Sequence, residues 1–121
     1  MISKFRPETE FYTDERCYIV EIHNREEEGC LIVRARVLPG VTTQFHLLQG
    51  TDERYVILEG EGLVQVGDAA PAPVRPLDVV AIAAGTPQRI TNVSTADLVF
   101  LCMCIPRFRA ETYVRLESDG S

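Results

Sequence analysis

The stretch Gly40-Val-Thr-Thr-Gln-Phe-His46-Leu-Leu48-Gln-Gly-Thr-Asp-Glu53-Arg-Tyr55-Val-Ile-Leu-Glu-Gly60 decides the fold. Two β-rich segments, Thr43 to Leu47 and Glu53 to Glu59, flank the turn residues Gln49-Gly-Thr-Asp52. Side chains of a strand repeat every two residues. If the segments pair as antiparallel neighbours, Gln44, His46 and Leu48 point one way. Glu53, Tyr55 and Ile57 can then point into the same space. An imidazole and a carboxylate facing each other inside a barrel are a metal-ligand pair in principle. Two ligands hold an ion weakly, so a third has to come from elsewhere.

Outward from this stretch, no helical pattern stands out. Short β-rich runs recur at Cys17 to Ile22, Cys30 to Leu38, Gly62 to Val66, Asp78 to Ile82, Gln88 to Asn92 and Leu98 to Ile105. Turn residues separate them, among them Pro39-Gly40, Glu59-Gly-Glu-Gly62, Gly67-Asp68 and Gly85-Thr-Pro87. Strands of this number and spacing predict a sandwich or barrel. Ala69 to Pro76 is proline-rich and is read as an edge or a connecting loop, because proline removes a ladder donor. The chain divides into an N-terminal arm (1–16), a barrel (17–110) and a C-terminal tail (111–121), whose last residues, Glu117 to Ser121, are expected to fray.

A second motif follows the first. Asp78-Val-Val-Ala-Ile-Ala-Ala-Gly85-Thr-Pro-Gln88-Arg-Ile-Thr-Asn92 keeps Asp78, Gly85 and Asn92 at fixed spacing. In this order, the two motifs resemble those of the cupin family, specifically the small single-domain cupins of the RmlC-like superfamily. The resemblance covers roughly Cys30 to Pro106. It implies an all-β, double-stranded β-helix (a jelly-roll barrel), a homodimer, and a site inside the barrel. It also implies that the arm packs on, or swaps with, a partner subunit. The family's metal set falls here on His46, Leu48, Glu53 and Gln88. Leu48 cannot coordinate, so the resemblance leaves His46, Glu53 and Gln88 as metal ligands for one divalent ion of unknown identity. An imidazole, a carboxylate and an amide suit an oxygen-preferring cation, or none.

Other residues bear on the site. Glu53 needs a partner if buried, and His46, Gln88, Tyr55 or an arginine could supply it. The plain alternative to a metal is His46 hydrogen-bonded to Glu53. Gln44, Tyr55 and Gln88 are candidate ligand-binding residues, with Phe100 and Cys102 as wall. His46, Glu53 and Tyr55 are the catalytic candidates. His23 is read either as a surface residue or as a replacement ligand. Cys102 and Cys104 share a face of their strand, either as reduced core thiols or as a soft lining for a metal or redox site. Arg25-Glu-Glu-Glu28 is read as a solvated turn, and Arg107 and Arg109 as a surface tail with an anion site as the alternative.

Composition bounds the function. The 121 residues make one domain of 45% hydrophobic and 25% charged content. A net charge of −6 without a basic cluster argues against nucleic acid. No apolar run long enough for a membrane helix occurs, and the start lacks the apolar core of a secretion signal, so a cytoplasmic location is expected. Two functions are consistent with these residues. One is a barrel that binds a divalent cation or a small polar metabolite, such as a sugar or a carboxylate. The other is a metal-assisted enzyme of isomerase, lyase or dioxygenase type, with Glu53 or His46 as base. A ligand-free dimerisation barrel is disfavoured, because an empty structural core would be apolar.

Overall fold

The computed structural model describes residues 1–25, 29–106 and 109–117. Glu26 to Glu28 of the turn read as solvated, and Arg107, lie outside the described residues. The strands are β1 (Phe11–Tyr12), β2 (Tyr18–Arg25), β3 (Cys30–Val37), β4 (His46–Leu48), β5 (Asp52–Glu59), β6 (Gly62–Val66), β7 (Ala72–Val74), β8 (Val79–Ile82), β9 (Gln88–Asn92), β10 (Leu98–Ile105) and β11 (Tyr113–Arg115). They form two antiparallel sheets, in the orders β1-β2-β3-β10-β5-β8 and β11-β4-β9-β6-β7. This is the expected all-β jelly-roll barrel.

Alternation along the strands makes the core. In β3, Leu31, Val33, Ala35 and Val37 are buried, while Arg34 and Arg36 point outward. In β10, Phe100, Cys102 and Cys104 point inward. Both strands thus give one apolar face to the space between the sheets, and burying such faces is what drives the sheets together. β10 lies between β3 and β5, so its inward residues sit at the centre of the larger sheet.

Two expectations about local structure change, the pairing of β4 with β5 and the course of the C-terminal tail. β4 and β5 are not neighbours: β4 pairs with β9 and β11 in the smaller sheet, and β5 with β10 and β8 in the larger. The connection through Gly50 (φ +75°) carries the chain from one sheet to the other. Gly85 N–H donates to the Leu48 carbonyl at 2.8 Å and fastens β4 to the turn before β9. His46 and Glu53 therefore come from facing sheets rather than adjacent strands. The proline-rich segment supplies the edge strand β7, as its composition allows. Tyr113–Arg115, in the segment read as tail, pairs with β4.

Asn92 is a structural residue. Its amide donates to the carbonyls of Val37 and Ala96, each at 2.8 Å. Its side-chain oxygen accepts from Ser94 N–H and Oγ. Both N–H donors and both oxygen lone pairs of this buried side chain are used, which ties β9 in one sheet to the end of β3 in the other.

Candidate functional site

A cavity of about 280 Å³ lies between the sheets. Leu31, Val33, Ala35, Leu48 and Phe100 give it apolar walls, and His46, Glu53, Tyr55, Cys102 and Cys104 line it as well. The arm adds Phe11, Thr13 and Glu15 to the lining, and Cys17 follows just beyond it.

His46 is 3% exposed and stacks on Tyr113, with ring centroids 4.8 Å apart. Its Nδ1 lies 2.7 Å from the Gln44 carbonyl oxygen. A carbonyl only accepts, so Nδ1 carries a proton. Nε2 is directed to the other side, 3.8 Å from Glu15 Oε1. Glu15 is held there by its own carbonyl, which accepts from Gln44 N–H at 3.1 Å. Its side chain is 31% exposed against 4% for His46, so the cavity opens at Glu15.

Glu53 is 5% exposed on β5. Gln88 Nε2 donates to its Oε1. The Cys102 thiol donates to Oε2 at 3.2 Å, and the Cys104 thiol lies 3.8 Å from the same oxygen. Burial pushes the Glu53 carboxyl above its ordinary pKa, while the Cys102 hydrogen bond and the nearby His46 pull it back. Tyr55 donates its hydroxyl to Gln88 Oε1 and packs on Phe100 at 4.6 Å between centroids. Burial pushes the Tyr55 hydroxyl well up, and the Glu53 charge adds to it. Contact with Cys104 and burial raise the Cys102 thiol as well.

Of the residues singled out in the sequence, His46, Glu53, Tyr55, Phe100 and Cys102 meet on the cavity wall, with Leu48 beside them. Gln44 and Gln88 stand one layer behind. Both are buried, and neither is among the residues that line the cavity. Gln44 accepts from the Tyr113 hydroxyl at 2.7 Å. Glu53 has the Gln88 partner named as one option, whereas the His46–Glu53 hydrogen bond considered above does not form: His46 bonds the Gln44 backbone. His23 lies outside the cavity, 2.6 Å from Ser3 Oγ.

Glu15, Cys17, Cys104 and Tyr113 complete the site, and Glu15 had no sequence signal. Thr13-Asp-Glu-Arg-Cys17 is brought over the barrel by contacts distant in sequence, Glu15 with Gln44 and Arg16 with Thr42. Cys104 was marked by its period-two relation to Cys102, but its carboxylate partner depends on the β5–β10 register, in which it lies opposite Glu53.

The metal that the resemblance implies can be tested against these donors. At the family's positions Leu48 offers only carbon, and both ends of the Gln88 amide are engaged, by Tyr55 and by Glu53. The Gln88 oxygen keeps one lone pair, but Gln88 is not among the residues that line the cavity, and its amide is already oriented by Tyr55 and Glu53. That set does not fit a resident ion as it stands.

Residues 33–104 match the family model of the cupin domain, which is more than half of the chain. Among curated proteins none matches the chain in sequence. Among solved structures, a predicted oxalate decarboxylase from Thermotoga maritima is similar with a TM-score of 0.79 and 23% identity, over 88% of this chain and 100% of the other. A protein from Thermus thermophilus is 29% identical with a TM-score of 0.70, over 80% of this chain and 90% of its own. KdgF from a Halomonas species has a TM-score of 0.77 at 14% identity, over 90% and 98% of the two chains. The two-motif sequence, the facing sheets and the match to the family model agree, and the chain belongs to the cupin domain family.

Proposed function

We propose that the barrel binds a small organic molecule that is neutral or cationic, with an apolar body and at least one hydrogen-bond donor. The observation that carries this reading is the charge of the cavity lining. Glu15, Glu21 and Glu53 line it, and no lysine or arginine does among the described residues. Carboxylates and an outward-facing imidazole nitrogen accept hydrogen bonds, so they suit an amine, a polyol or a similar donor. The same three carboxylates would repel a carboxylate or phosphate ligand, which narrows the sugar-or-carboxylate expectation to its uncharged arm. The volume, about 280 Å³, lies just below the range of about 300–1,000 Å³ usual for ligand sites, which favours a small molecule.

In this reading Glu15, His46 and Glu53 bind the polar end, Tyr55, Phe100 and Cys102 form the wall, and Gln44 and Gln88 hold His46 and Glu53 in place. A panel of small amines, polyols and dicarboxylates, screened by ligand-observed NMR, tests it. Amines or polyols should bind and lose binding in Glu15→Gln or His46→Ala. Binding of dicarboxylates alone would overturn it.

An enzymatic role rests on one observation: the Gln44 carbonyl fixes His46 Nδ1 so that Nε2 is presented toward Glu15 and the cavity, as a general base is oriented. Isomerisation or elimination of whatever ligand the screen finds would be followed by NMR. The homodimer that the resemblance implies belongs to the same reading. The edge strands β1 and β8 carry the exposed Phe11, Tyr12 and Val79, which a second copy could cover. Light scattering on the purified chain checks it.

A further inference from the structure

We propose that Glu53, Cys102 and Cys104 form a three-ligand site for a thiophilic divalent cation of the Zn²⁺ type, which shares Glu53 with the family's ligand positions and takes its other two ligands from strand β10. The site needs no organic ligand and does not rest on the reading above.

The register makes the triangle. Cys104 lies directly opposite Glu53 on the β5–β10 ladder, and Cys102 opposite Tyr55. Cys102 and Cys104, two apart on one strand, present both sulfurs to the same side. The ligand atoms all lie within 4.8 Å of one another, and the three side chains are buried. β10 is flanked by β3 and β5, so the backbone that carries the two thiols is fixed on both sides.

The dimensions fit a tetrahedral ion. Bonds of about 2.3 Å to sulfur and about 2.1 Å to oxygen give tetrahedral edges of about 3.8 Å between sulfurs and about 3.6 Å between sulfur and oxygen. The observed Sγ···Sγ separation is 3.9 Å, and the two Sγ···Oε2 separations are 3.2 and 3.8 Å. Small side-chain shifts bring all three atoms to bonding distance of one centre. A disulfide fits less well. Alternate residues of an extended strand have Cα atoms about 6.6–6.8 Å apart, at the far limit of disulfide geometry.

Gln88 completes the arrangement from behind. It donates to Oε1 of Glu53 and leaves Oε2 aimed at the two sulfurs. Outer hydrogen bonds of this kind orient ligating carboxylates in metal sites. All three ligands line the cavity, so a fourth coordination position opens into it. Three protein ligands with one exchangeable position is the arrangement of a site that can also take a water or a ligand donor. On loading, the two thiol protons pass to the buffer and both sulfurs bind as thiolates.

The test is a titration of the reduced, metal-stripped full chain with Cd²⁺. The readout is the ultraviolet thiolate-to-metal charge-transfer band, and Zn²⁺ is then added as competitor. The band should saturate at one equivalent and be displaced by Zn²⁺. It should vanish in the Cys102→Ser, Cys104→Ser double variant and weaken in Glu53→Gln by about tenfold in affinity or more. It should persist in Cys30→Ser and in His46→Ala. No saturable band in the wild type, a band retained in the double variant, or a band lost in His46→Ala would overturn the proposal. Should the double variant fail to fold, cadmium-113 NMR of the wild type decides, since a shift without sulfur coordination refutes it. The titration contains no organic molecule, so its failure leaves the ligand reading untouched.

Discussion

Tyr55 and Glu53, two residues apart on β5, are joined through a single amide. Gln88 accepts from the Tyr55 hydroxyl and donates to the Glu53 carboxylate. The amide matches both partners at once: oxygen to the donor, NH₂ to the acceptor. A glutamine at this position is thus explained by satisfaction of two buried polar groups, which an apolar residue would leave stranded.

Removing that link should be costly. In Gln88→Leu the Tyr55 hydroxyl and Glu53 Oε1 lose their partner, and each stranded buried group costs about 1–3 kcal/mol. The variant should therefore lose about 2–6 kcal/mol by urea unfolding. Gln88→Glu keeps an acceptor for Tyr55 but sets a second carboxylate against Glu53. It should be unstable at neutral pH and recover on acidification, as one of the pair takes a proton. Equal stability of Gln88→Leu and wild type would show that the amide link is dispensable.

The raised pKa of Glu53 gives stability a definite slope. The folded state holds the Glu53 proton to a higher pH than the unfolded chain, whose glutamates titrate near about 4.3. Between that value and the folded pKa, the native state binds more protons, so stability falls as pH rises and is flat beyond. Glu53→Gln should remove this slope. Urea midpoints from acid to neutral pH, in metal-free buffer, measure it in both proteins. The same slope in the variant would assign it to another group.

The arm should show the opposite sign. Glu10 is paired with Arg36 at 2.6 Å and with Arg34 at 2.9 Å. The hydrogen bond from Arg36 is the main reason that its carboxyl titrates below the ordinary range. A lowered folded pKa gives stability that is present above about 4.3 and lost as pH falls through the folded value. Because Thr13 and Glu15 line the cavity, release of the arm also opens the site. Glu10→Gln should raise hydrogen exchange at residues 1–15 at neutral pH and leave the barrel strands protected. Unchanged exchange in the arm would mean that the ring contact of Phe5 with Arg34 and the pairing of β1 with β2 suffice to hold it.

What the sequence reveals, and what it hides, follows from the range of each interaction. Gly62–Val66, Gln88–Asn92 and Leu98–Ile105 are strands with the bounds read from local pattern, because alternation and turn chemistry are properties of neighbouring residues. His46 and Glu53 were legible as an inward pair because period-two geometry fixes the face of each. That they come from opposite sheets was not, since the crossing at Gly50 depends on what β4 pairs with far along the chain. Glu15 and the Glu53–Cys104 opposition were hidden for the same reason. One depends on a contact with Gln44, the other on a register spanning about half of the chain.

Two glycines of the first motif separate backbone strain from steric contact. Gly40 and Gly60 both adopt left-handed φ, at +78° and +80°. A Cβ at Gly40 meets nothing within 4 Å, whereas one at Gly60 would lie 2.7 Å from the Asp97 carbonyl oxygen and 3.1 Å from Leu98 Cα. Those are backbone atoms of the turn entering β10, and they can yield only if the turn shifts. Gly40→Ala should then cost only the left-handed penalty of about 1–2 kcal/mol. Gly60→Ala carries that penalty plus displacement of the strand that holds Phe100, Cys102 and Cys104, for a total of about 3 kcal/mol or more. Urea unfolding of the two variants side by side measures the difference. Equal losses would mean that φ alone selects glycine at both positions. A larger loss at Gly60, with weakened Cd²⁺ binding, would tie this motif glycine to the placement of the thiols.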